Sequence, residues 1–165
     1  FRLARLSRCR RGWQSASGRG RGWRVLVATT EFSHQLRVYI EDTDAGGIVY
    51  YVNYLKFMER ARTEFMRSLG YGTGYIFSSD LMFVVRDVAV TYTLPARLDD
   101  ELEVTASVLQ VRAAALVFRQ TVRRRDELLA RGEVTVACVD RSSVKPRRLP
   151  TEMATQLRAM EQKEA

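Results

Sequence analysis

The apolar positions change period twice along the chain, and these changes mark out its elements. Residues 33–41 place Leu36, Val38 and Ile40 at alternate positions, the two-residue period of a strand. An acidic, glycine-containing loop interrupts the pattern at residues 42–49. Beyond it Tyr50, Tyr54, Phe57, Met58, Ala61, Phe65 and Leu69 recur at steps of three and four, the apolar face of a helix. Lys56, Glu59, Arg60, Thr63, Glu64 and Arg67 fall largely elsewhere on the wheel, where Arg60 and Glu64, four apart, are expected to pair at the surface. Asn53 is the predicted N-cap and Gly70 the predicted C-cap of a helix about five turns long.

Residues 71–80 read as a loop, and alternation then returns. Residues 82–94 are rich in β-branched and aromatic types and stop at Pro95; Asp99-Asp100 marks a turn. Leu102, Val104, Ala106 and Val108 alternate with polar or small residues. Leu116, Phe118, Gln120 and Val122 alternate against Val117, Arg119, Thr121 and Arg123, and Arg123-Arg124-Arg125 leads into a hairpin end. Val134, Val136 and Cys138 share one face of a last strand, Pro146 and Pro150 punctuate the exit, and residues 151–163 suit a short terminal helix. This spacing predicts an antiparallel meander of about five strands in an α+β domain. The predicted organisation is a basic extension at 1–30, a folded domain at 31–150 and a C-terminal helical tail at 151–165. One helix, apolar on one side, covers one face of such a sheet. The other face, or the edges, then calls for a partner, most simply a second copy in a two-fold dimer.

Charge adds little to this picture once it is located. The chain carries 27 basic and 19 acidic residues, a net charge of +8. Residues 1–30 hold eight arginines and no acid, which leaves 19 of each sign in residues 31–165. The basic character belongs to the extension, and a nucleic-acid-binding domain is not supported. The extension reads as disordered; its Arg-rich, acid-free composition loosely matches a transit peptide, but no clean amphipathic helix accompanies it. No segment approaches the ~20 apolar residues of a membrane span. Cys9 and Cys138 stand apart with no His nearby, so neither a zinc site nor a disulfide framework is expected, and a reducing, cytoplasmic setting fits.

The chemistry concentrates in Glu41-Asp-Thr-Asp44-Ala-Gly46-Gly47-Ile-Val-Tyr-Tyr51-Val-Asn-Tyr54. Acids run into two glycines and then into a helix start, where backbone amides lack intrahelical partners and sit at the positive end of the dipole. A carboxylate beside such amides suits hydrolysis at an acyl carbonyl. Glu41 and Asp42 flank Asp44, either as like charges that raise its pKa or as solvated loop acids. His34 is the only histidine and lies near the domain start, so a Ser-His-Asp triad is not expected. Gly72-Thr-Gly74 follows a helix and lacks the rest of a phosphate-loop fingerprint.

Val38-Tyr-Ile-Glu-Asp-Thr-Asp-Ala-Gly-Gly-Ile-Val-Tyr50, followed by Asn53-Tyr-Leu-Lys-Phe-Met-Glu-Arg-Ala-Arg-Thr-Glu-Phe65, resembles the hotdog-fold acyl-CoA thioesterases. The likeness is nearest to their Tol-Pal-associated group, related to 4-hydroxybenzoyl-CoA thioesterase. Phe83-Val-Val-Arg86, Tyr92-Thr-Leu-Pro-Ala-Arg-Leu-Asp-Asp100, Val139-Asp140 and Lys145-Pro-Arg147 extend it, so that it covers roughly residues 35–150. The resemblance implies a long helix wrapped by a curved antiparallel sheet, dimers joined edge to edge and often paired into tetramers, and active sites at the subunit interface. It implies hydrolysis of acyl-CoA thioesters, here of short-chain or aromatic acyl groups, with no metal or organic cofactor. Asp44 matches the catalytic carboxylate, acting as nucleophile or as general base on water. The Tyr51 backbone N–H would polarise the thioester carbonyl, with the Gly47 amide as a second donor. Gly46, Ile48, Tyr54, Arg86, Ser142 and Lys145 are the expected substrate contacts. Arg141, Ser143, Arg147 and Arg148 are further candidates for the coenzyme's phosphates, and Tyr50, Phe57, Phe83 and Tyr92 for the pocket walls. The Tol-Pal-associated proteins usually carry His where this chain has Tyr51, while the hydroxybenzoyl-CoA group has Tyr there. A backbone donor is indifferent to that exchange. The alternative reading is a non-catalytic module that binds acyl carrier protein or an envelope partner.

Overall fold

The first predicted strand pairs only as far as Arg37. In the computed structural model, which describes residues 31–162, β1 (Phe32–Arg37) is followed by a 3-10 turn at Ile40–Asp42. Val38 stays in the core, but the turn carries Ile40 out to solvent, contrary to its expected place beside Leu36 and Val38. The extension at 1–30 lies outside the described residues.

The three-to-four period then yields α1 (Asn53–Ser68), which buries Tyr54, Phe57, Met58, Ala61 and Phe65, while Tyr50 precedes the helix and is exposed. Gly70 ends it with φ +90°: the Gly70 N–H donates to the Arg67 carbonyl (3.0 Å) and the Tyr71 N–H to the Met66 carbonyl (2.9 Å). These two bonds satisfy carbonyls that the helix end leaves open. Asn53 is the first helical residue rather than the cap, and no side chain caps this end. The expected Arg60–Glu64 pair does not form. Glu64 pairs with Arg67, and the Arg60 guanidinium lies 6.0 Å from the centre of the Phe57 ring.

A short helix, α2 (Thr73–Ser78), occupies the stretch read as loop. Four strands follow: β2 (Leu81–Tyr92), β3 (Glu101–Val111), β4 (Ala115–Arg124) and β5 (Glu127–Asp140). The sheet is antiparallel throughout with the order β1-β3-β4-β5-β2. β3, β4 and β5 form the expected meander, but β2 does not pair with β3. It crosses to the far edge and pairs with β5. The link after Tyr92 cannot close as a tight hairpin, because Pro95 has no N–H for a ladder. Instead the link runs past the entrance of α1: the Val49 N–H donates to the Ala96 carbonyl (2.8 Å), and Ile48 bridges to Arg97.

α1 packs across β1, β3 and β4. α3 (Thr151–Arg158), foreseen as a tail, inserts Met153 and Leu157 fully into the core beside Phe65, Leu81 and Phe118. Gln120 of β4 is the one polar side chain with no exposure among the described residues. Its amide donates to the carbonyls of Met58 (3.0 Å) and Thr105 (3.1 Å), and its oxygen accepts from Arg62 Nη1 (2.6 Å). Arg62, itself buried, also pairs with Glu59, and burial lowers its pKa. Cys138 is a buried free thiol whose pKa burial raises. Among the described residues no helix is long and apolar enough to cross a membrane. β2 has no partner on its outer edge there, and Val85, Val88 and Tyr92 are exposed along it.

Candidate active site

The segment between the 3-10 turn and α1 is held at its base by two buried polar residues. The Asp42 carboxylate accepts the Tyr39 N–H (3.0 Å), and the Asp42 N–H donates back to the Tyr39 carbonyl (3.0 Å). The Asp42 carbonyl accepts both the Tyr50 N–H (2.9 Å) and Asn53 Nδ2 (2.8 Å). Asp42 and Asn53 are each 5% exposed, so Asp42 is a buried structural tie rather than a solvated loop acid.

Above this base the chain makes a tight reversal. The Asp44 N–H donates to the Ile48 carbonyl (2.9 Å), and the Gly47 N–H to the Asp44 carbonyl (3.0 Å). Gly47 has φ +74°, a conformation that glycine adopts without cost. At Gly46 an added Cβ would lie 3.0 Å from Asp44 Oδ1, the atom that accepts the Gly46 N–H at 2.8 Å. Asp44 is thus an exposed carboxylate set by an Asx-type bond on one oxygen, and no donor among the described residues binds the other. The Gly47 amide, expected as a second oxyanion donor, is consumed in closing the turn.

The helix start behaves differently. The Asn53 N–H donates to the Tyr50 carbonyl (2.8 Å) and the Leu55 N–H to the Val52 carbonyl (3.0 Å). Among the described residues no acceptor takes the amides of Tyr51 or Val52. Beside them opens a cavity of about 290 Å³, lined by Ile48, Val49, Tyr51, Tyr54, Tyr92 and Leu94 among others. Its aromatic wall is a run of edge contacts: Tyr51 to Tyr92 (6.4 Å between centroids) and Tyr92 to Tyr54 (5.3 Å). The Tyr54 hydroxyl accepts the Ala96 N–H (2.8 Å), and the Tyr92 hydroxyl donates to the Tyr51 carbonyl (3.0 Å). Burial is the main cause that raises the pKa of both phenols, so both stay neutral in the physiological range.

One local unit therefore gathers Asp44, Gly46, Gly47, Ile48, Tyr51 and Tyr54. The remaining predicted contacts lie on other elements. Arg86 is the extra residue of a bulge in β2 and pairs with Asp87 (3.1 Å), both exposed. Ser142 follows β5, and its hydroxyl donates to Asp140 Oδ1 (2.7 Å). Ser143 donates its hydroxyl and its N–H to the same oxygen (2.8 and 2.9 Å). Those bonds, the Ser142 hydroxyl first, hold the Asp140 carboxyl far below the ordinary carboxylate range. Both serines are thus committed to the turn rather than free for a ligand. Arg147 Nη1 donates to the Ser79 and Asp80 carbonyls, and Arg141 stacks over Phe77 at 4.3 Å. Lys145 is exposed.

Sequence reasoning missed the Asp42–Asn53 tie, which joins positions eleven apart and leaves no local signal. It also missed the hydroxyl contact of Tyr92, which pattern alone does not encode.

Residues 38–157 match the thioesterase-like superfamily. The chain is 44% identical over 131 residues to the acyl-CoA thioester hydrolase YbgC of Escherichia coli O6:H1, across 79% of this chain and 98% of that protein. It is likewise 44% identical over 123 residues to the acyl-CoA thioesterase YbgC of Haemophilus influenzae, across 74% of this chain and 90% of that protein. The crystal structure of a probable thioesterase from Bartonella henselae superposes with a TM-score of 0.70 at 33% identity, over 73% of this chain and 99% of that one.

Proposed function

The chain belongs to the thioesterase-like superfamily and is a thioester hydrolase of hotdog fold, and from that premise we propose that it hydrolyses acyl-CoA thioesters to the free acid and coenzyme A. The observation that carries this reading is the exposed Asp44 carboxylate, fixed four residues before Ile48, which together with Tyr51 lines a cavity at the helix start, where the Tyr51 amide is unpaired.

The thioester carbonyl oxygen accepts from the Tyr51 N–H, which lies at the positive end of α1. One donor of this kind stabilises the developing oxyanion by about 2.7–4 kcal/mol. Asp44 supplies the attacking oxygen itself or removes a proton from water. Overall, water's OH joins the acyl carbon, the C–S bond breaks, and the sulfur takes up a proton. A side chain at position 51 plays no part in such donation, so tyrosine serves there as well as histidine. The cavity of about 290 Å³, walled by Ile48, Tyr54 and Tyr92, favours short-chain or aromatic acyl groups. Lys145 and Arg86 are the cations proposed to meet the coenzyme's phosphates; Ser142 is not retained in that role, because its hydroxyl is held by Asp140.

The open β2 edge and the exposed Val85 and Val88 support assembly with a second copy. A groove of about 440 Å³ beside them, lined by Val52, Leu55, Glu59, Val85, Val88 and Val134 among others, supports it further. We place the enzyme in the cytoplasm as a homodimer or a pair of dimers; sedimentation at the mass of one protomer would overturn the assembly.

The test is thiol release from a panel of acyl-CoA esters by wild type and Asp44→Asn. Loss of the acid/base or nucleophile should lower kcat by at least about 10²-fold with the melting temperature unchanged. Near-wild-type activity in Asp44→Asn refutes the site. Saturable binding with no thiol release by the wild type would favour the acyl-carrier-protein module instead.

A further inference from the structure

We infer that the Val52 N–H joins that of Tyr51 as a donor to the oxyanion and that Tyr92 is its positioning residue, its hydroxyl holding the carbonyl of Tyr51 so that the Val52 amide keeps one direction. The inference rests on the reading of the site given above.

In a continuous helix the Tyr51 carbonyl would accept from the Leu55 N–H. That N–H is taken by the Val52 carbonyl instead (3.0 Å), which leaves the Tyr51 carbonyl without a partner inside the helix. Tyr92 fills the vacancy from the end of β2, 41 residues away in sequence, at 3.0 Å. A trans peptide is planar, with its C=O and N–H opposed, so fixing the Tyr51 carbonyl also fixes the Val52 N–H. The preceding peptide is fixed in the same way. The Asn53 N–H holds the Tyr50 carbonyl (2.8 Å), and this sets the Tyr51 N–H. Two successive amides are thus aimed by bonds to their partner carbonyls, one from the helix and one from the sheet.

The ring that carries the hydroxyl is itself constrained. Tyr92 meets Tyr51 and Tyr54 edge-on, at interplanar angles of 86° and 72°. Tyr54 is anchored in turn through the Ala96 N–H. A helix entrance held only by its own backbone would sample several peptide orientations. A donor placed by the sheet removes that freedom before substrate arrives, which is where preorganised dipoles gain their catalytic effect.

The experiment compares Tyr92→Phe with Asp44→Asn and wild type, measuring kcat, KM and melting temperature with one acyl-CoA ester. Tyr92→Phe keeps the ring and removes only the donor. We expect kcat to fall about tenfold with KM within about twofold, the pattern of an interaction realised in the transition state, and the melting temperature to stay within about 2 °C. An unchanged kcat overturns the inference. So does a raised KM at constant kcat, which would make Tyr92 a pocket wall, or a loss of melting temperature matching the loss of activity. If Asp44→Asn is inactive while Tyr92→Phe is normal, only this inference fails. If Asp44→Asn stays active, the reading of the site fails.

Discussion

Replacing Gln120 by leucine should lower stability by roughly 0.5–4.5 kcal/mol, up to a large share of what a domain of this size possesses. Gln120 is wholly buried and satisfies three groups at once: the Met58 and Thr105 carbonyls and the Arg62 guanidinium. Leucine has nearly the same volume but no polar atoms. The two amide donations are worth about 0.5–1.5 kcal/mol each, and the bond to a charged donor about 1.5–3. Burying leucine in place of an amide returns about 1.5–2 kcal/mol. The guanidinium is then left with Glu59, whose side chain is 58% exposed and screened by water. The predicted net loss corresponds to a fall in melting temperature of roughly 2–18 °C. Guanidinium chloride unfolding at one protein concentration measures it, with the midpoint falling and the slope unchanged. The double variant Gln120→Leu/Arg62→Leu carries the sharper claim. Removing both partners leaves no stranded charge, so it should lose less than the sum of the single variants by about 1–3 kcal/mol. A Gln120→Leu protein at least as stable as wild type, or strict additivity in the cycle, refutes the reasoning.

Two other expectations follow from the loops. Asn53→Ala removes the bond from Nδ2 to the Asp42 carbonyl, and should cost about 1–2 kcal/mol and depress kcat, read by thermal unfolding and thiol release; no change in either would show that the tie does not hold the helix entrance. The Asp140 carboxyl, held low by Ser142 and Ser143, contributes stability that is fully present above its unfolded pKa of about 3.9 and is lost as pH falls toward its folded pKa. A Ser142→Ala/Ser143→Ala variant should therefore show a shallower loss of stability below about pH 4, with the titration of the Asp140 carbon resonance moved upward although the backbone N–H groups of residues 142 and 143 still hold the carboxylate; an unchanged titration would refute it.

The elements whose order is local could be read from the sequence, and those fixed by distant backbone groups could not. The face of α1 and its end at Gly70 follow from a three-to-four period and one glycine. The meander of β3, β4 and β5 follows from alternation and short turns. The place of β2 does not, because it depends on the link at 93–100 binding Val49 and Ile48 rather than folding back. The site divides along the same line. Asp44 before a helix start is visible in the letters. Which amides remain open there is not, since Gly47 spends its N–H within the turn and Tyr51 keeps its own. Asp42 and Ser142 look like free polar groups in sequence, and each is committed to a neighbouring backbone or carboxylate in space.

The open amides have a cause in the residues around them. A serine or aspartate at position 50, at the start of the entering turn, would offer a side-chain acceptor to the N–H two residues on. Tyrosine stands there and provides no such acceptor. Asn53, the one nearby side chain of capping type, is turned back to the Asp42 carbonyl. The entrance is therefore anchored through carbonyls: Asp42 by Asn53, Tyr50 by the Asn53 amide, Tyr51 by Tyr92. Anchoring a helix start by its carbonyls rather than its amides gives rigidity without occupying the donors, and the donors are what an oxyanion requires.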